Sequence, residues 1–133
     1  MTAGNTVEAA DGEVREVPFT TRQLLRLDKA MRTADASTGL TFSVYVGELA
    51  EPTRATAERL HRELPAPADS ILIAVSPEQR QLELVTGPRA RKRVSDRDAK
   101  LAALSMVAAF GGGDLAGGII LGLDQLVTHA GRS

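Results

Sequence analysis

Ser70-Ile71-Leu72-Ile73-Ala74-Val75-Ser76-Pro77-Glu78-Gln79-Arg80-Gln81-Leu82-Glu83-Leu84-Val85-Thr86 is the stretch that decides the fold. Ile71 to Val75 is an unbroken apolar run, short and rich in β-branched residues. Such a run suits a central strand buried on both faces. Ser76 to Arg80 has the length of a hairpin turn. Leu82, Leu84 and Thr86 then alternate with Glu83 and Val85, the period of a further strand. Upstream, Leu40-Thr41-Phe42-Ser43-Val44-Tyr45-Val46 also alternates apolar with polar, and Gly47 stops it. Between these strands Pro52 suits a first helical turn. Ala57, Leu60, His61 and Leu64 mark one helix face, and Pro65 and Pro67 end the helix. Strand, helix and strand predict a parallel right-handed crossover, and the tight turn predicts an antiparallel partner. The expected class is α/β, with a small mixed sheet flanked by helices.

Further outward, Thr20 with Gln23 fits a capping box. Leu24, Leu27, Ala30, Met31 and Ala34 recur at helical spacing, predicting a helix that ends near Asp35, with Ser37-Thr38-Gly39 as the turn. Downstream, Pro88 to Val94 is strongly basic, with Arg89, Arg91, Lys92 and Arg93. Ser95 or Asp96 can cap the next helix, expected to bury Leu101, Leu104, Ser105, Ala108 and Ala109. Gly111-Gly112-Gly113 breaks it, and Asp114 starts a last helix with Gly117, Gly118 and Gly122. Each of those glycines weakens a helix by up to about 1 kcal/mol against Ala. That cost points to another backbone approaching closely. From Leu101 to Thr128 only Asp114 and Asp124 are charged. Each arm of this hairpin, about 10–15 residues, falls short of the ~20 that span a bilayer. A buried helical pair on the sheet is expected. Residues 1–13 are small, polar and acidic and read as a flexible tail; Val14 to Val17 could add an edge strand. Residues 14–130 are then one domain.

At 133 residues, with 43% hydrophobic and 25% charged residues, the chain has the size and composition of one globular domain. Three Phe, one Tyr and no Trp leave an aliphatic core. The net charge of −1 lacks the basic excess of a nucleic-acid binder, so no nucleic-acid partner is expected. The absence of Cys excludes disulfides, thiolate metal sites and Cys nucleophiles. No basic segment followed by an apolar run opens the chain, so a cytoplasmic monomer is the expectation.

Enzyme signatures are missing. The glycine run follows a helix and lacks a following Lys-Ser/Thr, so it is no P-loop. There is no G-x-S-x-G elbow. His61 and His129 lie in different helices without ligand spacing; His61 is expected to rim a helix face, and His129 to sit in a last turn where the helix dipole favours a cation. Two features carry ligand chemistry. Gly111, Gly112 and Gly113 free the backbone to aim N–H groups at an anion, although Asp114 would compete with it and is also a good N-cap. Asp69 and Asp114, if they converge, could hold a hard cation such as Ca²⁺ or Mg²⁺. Arg89 to Arg93 could be a solvated face or could touch anionic lipid or an acidic partner.

Three stretches together resemble the TPM domain, named for a thylakoid-lumen repair phosphatase and its relatives, and small actinobacterial proteins of that type. Ser37-Thr38-Gly39-Leu40-Thr41-Phe42-Ser43-Val44 is similar to its turn into the first strand. Asp69-Ser70-Ile71-Leu72-Ile73-Ala74-Val75 through Glu83-Leu84-Val85-Thr86-Gly87 is similar to its hairpin. Phe110-Gly111-Gly112-Gly113-Asp114-Leu115, with Gly118 and Gly122, is similar to its ending. The resemblance covers about residues 20–128 and implies a three-layer α/β/α sandwich. It also implies activities described for that family: acid phosphatase, calcium binding, or accessory roles in membrane complexes. Asp69 and Asp114 match its acidic positions. Val17-Pro18-Phe19 replaces an acidic residue before the first helix, Ser70-Ile71 replaces Asn-Gly, and Arg89 replaces a second glycine. That thinning argues against a retained phosphatase. The expected function is a non-catalytic binding or scaffold module for a protein partner, with no required cofactor. The alternatives are a metal-assisted phosphatase using Asp69 and Asp114, and a peripheral membrane protein docking through Arg89 to Arg93.

Overall fold

A computed structural model describes residues 19–131. The tail and the edge strand expected before Pro18 lie outside the described residues. The elements run α1 (Thr21–Thr38), β1 (Thr41–Val46), α2 (Thr53–Arg62), a 3₁₀ turn at Pro67–Asp69, β2 (Ser70–Ser76), β3 (Gln81–Thr86), a 3₁₀ turn at Ala90–Lys92, α3 (Asp96–Gly111) and α4 (Leu115–Ala130). This is a mixed α/β architecture, as the strand and helix periods predict.

β2 is the middle strand, with β1 parallel on one side and β3 antiparallel on the other. Every residue of β2 is buried, which its unbroken apolar composition requires. The two faces of the sheet then carry separate clusters. Phe42, Val44, Ile71, Ile73, Val75 and Leu84 face a layer of three helices, α1, α4 and α3, with α4 packed between the other two. Leu72, Ala74 and Val85 face α2 together with Leu49 and Ala57. The result is three layers.

Local chemistry sets the helix ends. Thr20 and Gln23 form a reciprocal capping box on α1. α1 runs three residues past its expected end at Asp35, because Gly39 takes the left-handed conformation (φ 79°) and its N–H closes on the Asp35 carbonyl. Ser95, rather than Asp96, caps α3, and Asp98 returns the bond to the Ser95 N–H.

Three expectations need correction. α3 buries Ala99, Ala102 and Met106, whereas Leu101 and Leu104 are exposed, Ala108 is exposed, and Ser105 and Ala109 are half-buried. The helix is apolar around most of its circumference, so periodicity could not choose a face; its fit against α4 did. The close approach at Gly118 and Gly122 comes from side chains rather than backbone. A Cβ at Gly118 would meet the Phe110 ring, and one at Gly122 would meet the Met106 thioether. His61 is buried, not on a rim, with Nε2 2.9 Å from the Ser70 carbonyl oxygen.

Candidate functional site

The two ends of β2 differ in what their charges do. At its N-terminal end Asp69 meets Arg89 in a bidentate pair, both contacts 2.8 Å. The hydrogen bonds from the guanidinium hold the Asp69 carboxyl below its ordinary 3.8 and raise Arg89 in return. Arg91 donates to the Thr86 carbonyl at 2.6 Å. Arg93 donates to three carbonyls at the ends of α1 and α4: Thr38 at 2.6 Å, Gly131 at 3.2 Å and Ala130 at 3.3 Å. These bonds satisfy carbonyls that a helix end leaves without partners. Asp35 accepts the Phe42 N–H at 2.8 Å, and burial pushes its carboxyl above 3.8. Gly87 is required here: its N–H reaches the Ser70 carbonyl, and a Cβ would collide with the Pro67 and Ala68 backbone. So Arg89, Arg91 and Arg93, three of the four cations of the basic segment, make internal bonds.

The C-terminal end of β2 opens into a cleft of about 460 Å³ between the β2–β3 turn and the α3–α4 turn. Its walls include Val75, Pro77, Leu82, Val107, Phe110 and Leu115, with Gly111 and Gly113 at the α3–α4 side. Gly113 needs its residue type, at φ 90°, while a Cβ at Gly111 would meet nothing. Arg80 is the one charged side chain in this lining. It also has φ 55°, the left-handed region that favours Gly, Asn or Asp over a long side chain. Among the described residues its guanidinium makes no ion pair or hydrogen bond. The turn that carries it is braced. Gln79 accepts from Ser76 Oγ at 2.6 Å and from the Leu49 N–H at 2.7 Å, and donates to the Leu49 carbonyl at 2.8 Å.

Asp114 sits where the glycine run meets α4. Its carboxylate accepts the Gly117 N–H at 2.9 Å, as an N-cap does. Gly113 and Leu115 line the cleft beyond the end of β2, whereas Asp69 precedes its start. Seven residues of strand separate the two ends, a span of roughly 20 Å. The structure therefore does not bring Asp69 and Asp114 together. No group of three or more His, Asp or Glu among the described residues could hold a metal ion. His129 Nδ1 lies 3.3 Å from the Asp98 carboxylate. Sequence reasoning found the glycines of the cleft and quoted Phe110 as part of a family resemblance, and missed Arg80 and Gln79, which it read only as residues of a turn. No helix of the described residues is long and apolar enough to cross a membrane.

Fold and cleft define a small three-layer α/β domain with its opening at the strand ends, and solved structures share the fold. The chain superposes on the BA42 protein of Bizionia argentinensis with a TM-score of 0.77 and 17% identity, covering 89% of this chain and 84% of that one. It superposes on the N-terminal domain of a Corynebacterium glutamicum protein with a TM-score of 0.70 and 16% identity, covering 86% and 76%. Residues 3–127 match the family described as a domain of unknown function (DUF5130), and the chain belongs to that family. It is 33% identical over 103 residues to two Mycobacterium tuberculosis proteins, each described as uncharacterised. The match covers 77% of this chain, which spans 62% of the length of those relatives.

Proposed function

We propose that this chain is a non-catalytic binding module of TPM-like architecture, holding in its cleft a ligand with an apolar body and one carboxylate. The observation that carries the reading is Arg80: a cation without a partner, placed on a braced turn, in a backbone conformation that its side chain disfavours, at the edge of an apolar cleft. A left-handed non-glycine residue costs about 1–2 kcal/mol. Local strain of this kind clusters where a side chain serves a ligand. The cleft is within the usual size range of small-molecule sites, ~300–1,000 Å³. Arg80 is the one charged side chain of its lining, which favours ligand binding over acid–base chemistry. The separation of Asp69 from Asp114 favours this reading over a metal-assisted phosphatase.

The test is an amide NMR titration with octanoate, with octanol as the uncharged control. Octanoate is expected to shift the amides of Arg80, Leu82, Val107 and Phe110, and octanol to shift them far less. Equal shifts with both compounds, or none with octanoate, would refute the assignment. Hydrolysis of p-nitrophenyl phosphate in millimolar Mg²⁺ or Ca²⁺ is expected to stay at the buffer rate. Turnover lost in both Asp69→Asn and Asp114→Asn would restore the phosphatase.

A further inference from the structure

All the large hydrophobic side chains that stand exposed among the described residues belong to one layer. Leu25 is on α1, Leu101, Leu104 and Val107 are on α3, and Leu121 is on α4. On α3 the three follow one another at i, i+3 and i+6, so they share a helix face. Leu104 is 62% exposed and Val107 53%, too open to serve the core. Leu101 and Leu104 also wall an outer groove against Asp124, Gln125, Thr128 and His129 of α4; Asp124 is the one carboxylate of that lining and has no ion-pair partner among the described residues.

Cations continue the same surface. Arg97 and Lys100 extend the exposed face of α3 toward its N-terminus. Arg22, Arg26 and Lys29 form a stripe along the exposed side of α1. Among the described residues none of these five has an ion-pair or hydrogen-bond partner. The acids of the layer are mostly occupied. Asp28 pairs with Arg32, Asp96 with Arg91 and Asp98 with His129, while Asp35 and Asp114 accept backbone N–H groups. Asp124 shares a groove with Arg26 and Lys29. Across the sheet the charges of α2 are largely matched: Arg54 pairs with Glu58 and Arg59 with Glu63. The helical layer thus presents protruding leucines beside five cations without partners, whereas α2 presents mostly paired charges.

We infer that the outer face of the α1–α4–α3 layer docks on an anionic phospholipid surface, with Leu101 and Leu104 entering the headgroup boundary and Arg97 and Lys100 meeting lipid phosphates. Apolar insertion and attraction of basic side chains to anionic lipid act together at such interfaces. A hydrophobic patch bordered by cations is complementary to that surface. The contact surface is distinct from the Arg89–Arg93 segment, where Arg89, Arg91 and Arg93 make internal bonds. Val107, at the C-terminal end of the α3 row, belongs to the cleft wall, while Leu101, Leu104, Arg97 and Lys100 lie outside the cleft lining.

Co-sedimentation of the full chain with vesicles of 70% phosphatidylcholine and 30% phosphatidylserine reads this directly. The wild type is expected to partition onto these vesicles and to stay free of pure phosphatidylcholine. Leu101→Asp with Leu104→Asp should reduce partitioning by about tenfold or more, and Arg97→Glu with Lys100→Glu by about as much. Both pairs are exposed, so circular dichroism and melting should stay at wild-type values. Arg80→Gly should bind vesicles as the wild type does, which separates this surface from the cleft. Absence of wild-type partitioning, equal binding to neutral vesicles, or variants that bind undiminished would each overturn the inference. So would a wild type that self-associates through this face instead of binding lipid, read by analytical ultracentrifugation.

Discussion

The two ends of β2 lie one strand length apart and use charge in opposite ways. At the N-terminal end, Asp35, Asp69, Arg89, Arg91 and Arg93 each bind a partner within the fold. At the C-terminal end, neutral groups brace the turn through Ser76, Gln79 and Leu49, and Arg80 is left free at the edge of a cleft. Charge density is therefore a poor guide to function in this molecule. The basic segment stands out in the sequence, yet most of it fastens helix ends and strand ends. The basic segment leaves only Lys92 without a partner among the described residues, whereas the cation at the other end, Arg80, stands at the edge of a cleft.

Arg93→Ala should have the largest effect among the substitutions that probe this contrast. It strands the Thr38, Ala130 and Gly131 carbonyls, and hydrogen bonds to charged groups contribute about 1.5–3 kcal/mol. A loss of about 2–3 kcal/mol in urea denaturation is expected. A loss under ~0.5 kcal/mol would mean that the N-terminal end is not held by this side chain.

Asp114 sharpens the comparison because it lies beside the cleft yet acts as architecture. Asp114→Ala should cost about 0.5–2 kcal/mol and Asp114→Asn close to nothing, since an amide oxygen still accepts the Gly117 N–H. Thermal melts with and without millimolar Ca²⁺ should give the same ranking. A metal-dependent rise in Tm that Asp114→Asn removes would assign the residue to a ligand instead.

The smallest effect is a pH dependence at Asp35. Its folded pKa lies above the ordinary 3.8, so the folded state takes up this proton before the unfolded state does. Its contribution to stability grows as pH falls from above the folded value to 3.8, and is lost as pH rises again. Relative to Asp35→Asn, the wild type should gain stability on acidification across that window. Asp69 has the opposite sign: its pKa is lowered, so its contribution is present above 3.8 and fades as pH falls through the folded value. Parallel pH profiles for the wild type and Asp35→Asn would contradict the burial of this carboxyl.

Much of the fold was legible because local patterns and burial agreed. The Ile71–Val75 run suited a central strand, and Thr20 with Gln23 fitted a capping box at a helix start; both are what the fold contains. α3 was not legible in orientation, since Leu101, Leu104, Met106 and Val107 offer apolar groups on every side. Only α4, with glycines facing Met106 and Phe110, decides which group turns inward. His61 looked peripheral because its partner, the Ser70 carbonyl, belongs to another element. In the candidate site, Gly111 and Gly113 were visible from composition. Arg80 was not, because a left-handed backbone is read from sequence through Gly or Asn, and here an arginine adopts it.

The central claim is that Arg80 serves a ligand rather than the fold, and Arg80→Gly separates the two. Glycine relieves the left-handed strain while adding unfolded-state entropy, so folding stability should be unchanged or rise by up to about 1 kcal/mol. The paired measurement is urea denaturation and the octanoate titration on the wild type and Arg80→Gly. The account predicts undiminished stability together with loss of the octanoate-induced shifts at Leu82, Val107 and Phe110. A variant that unfolds more easily by 1 kcal/mol or more, while binding octanoate as the wild type does, would contradict it.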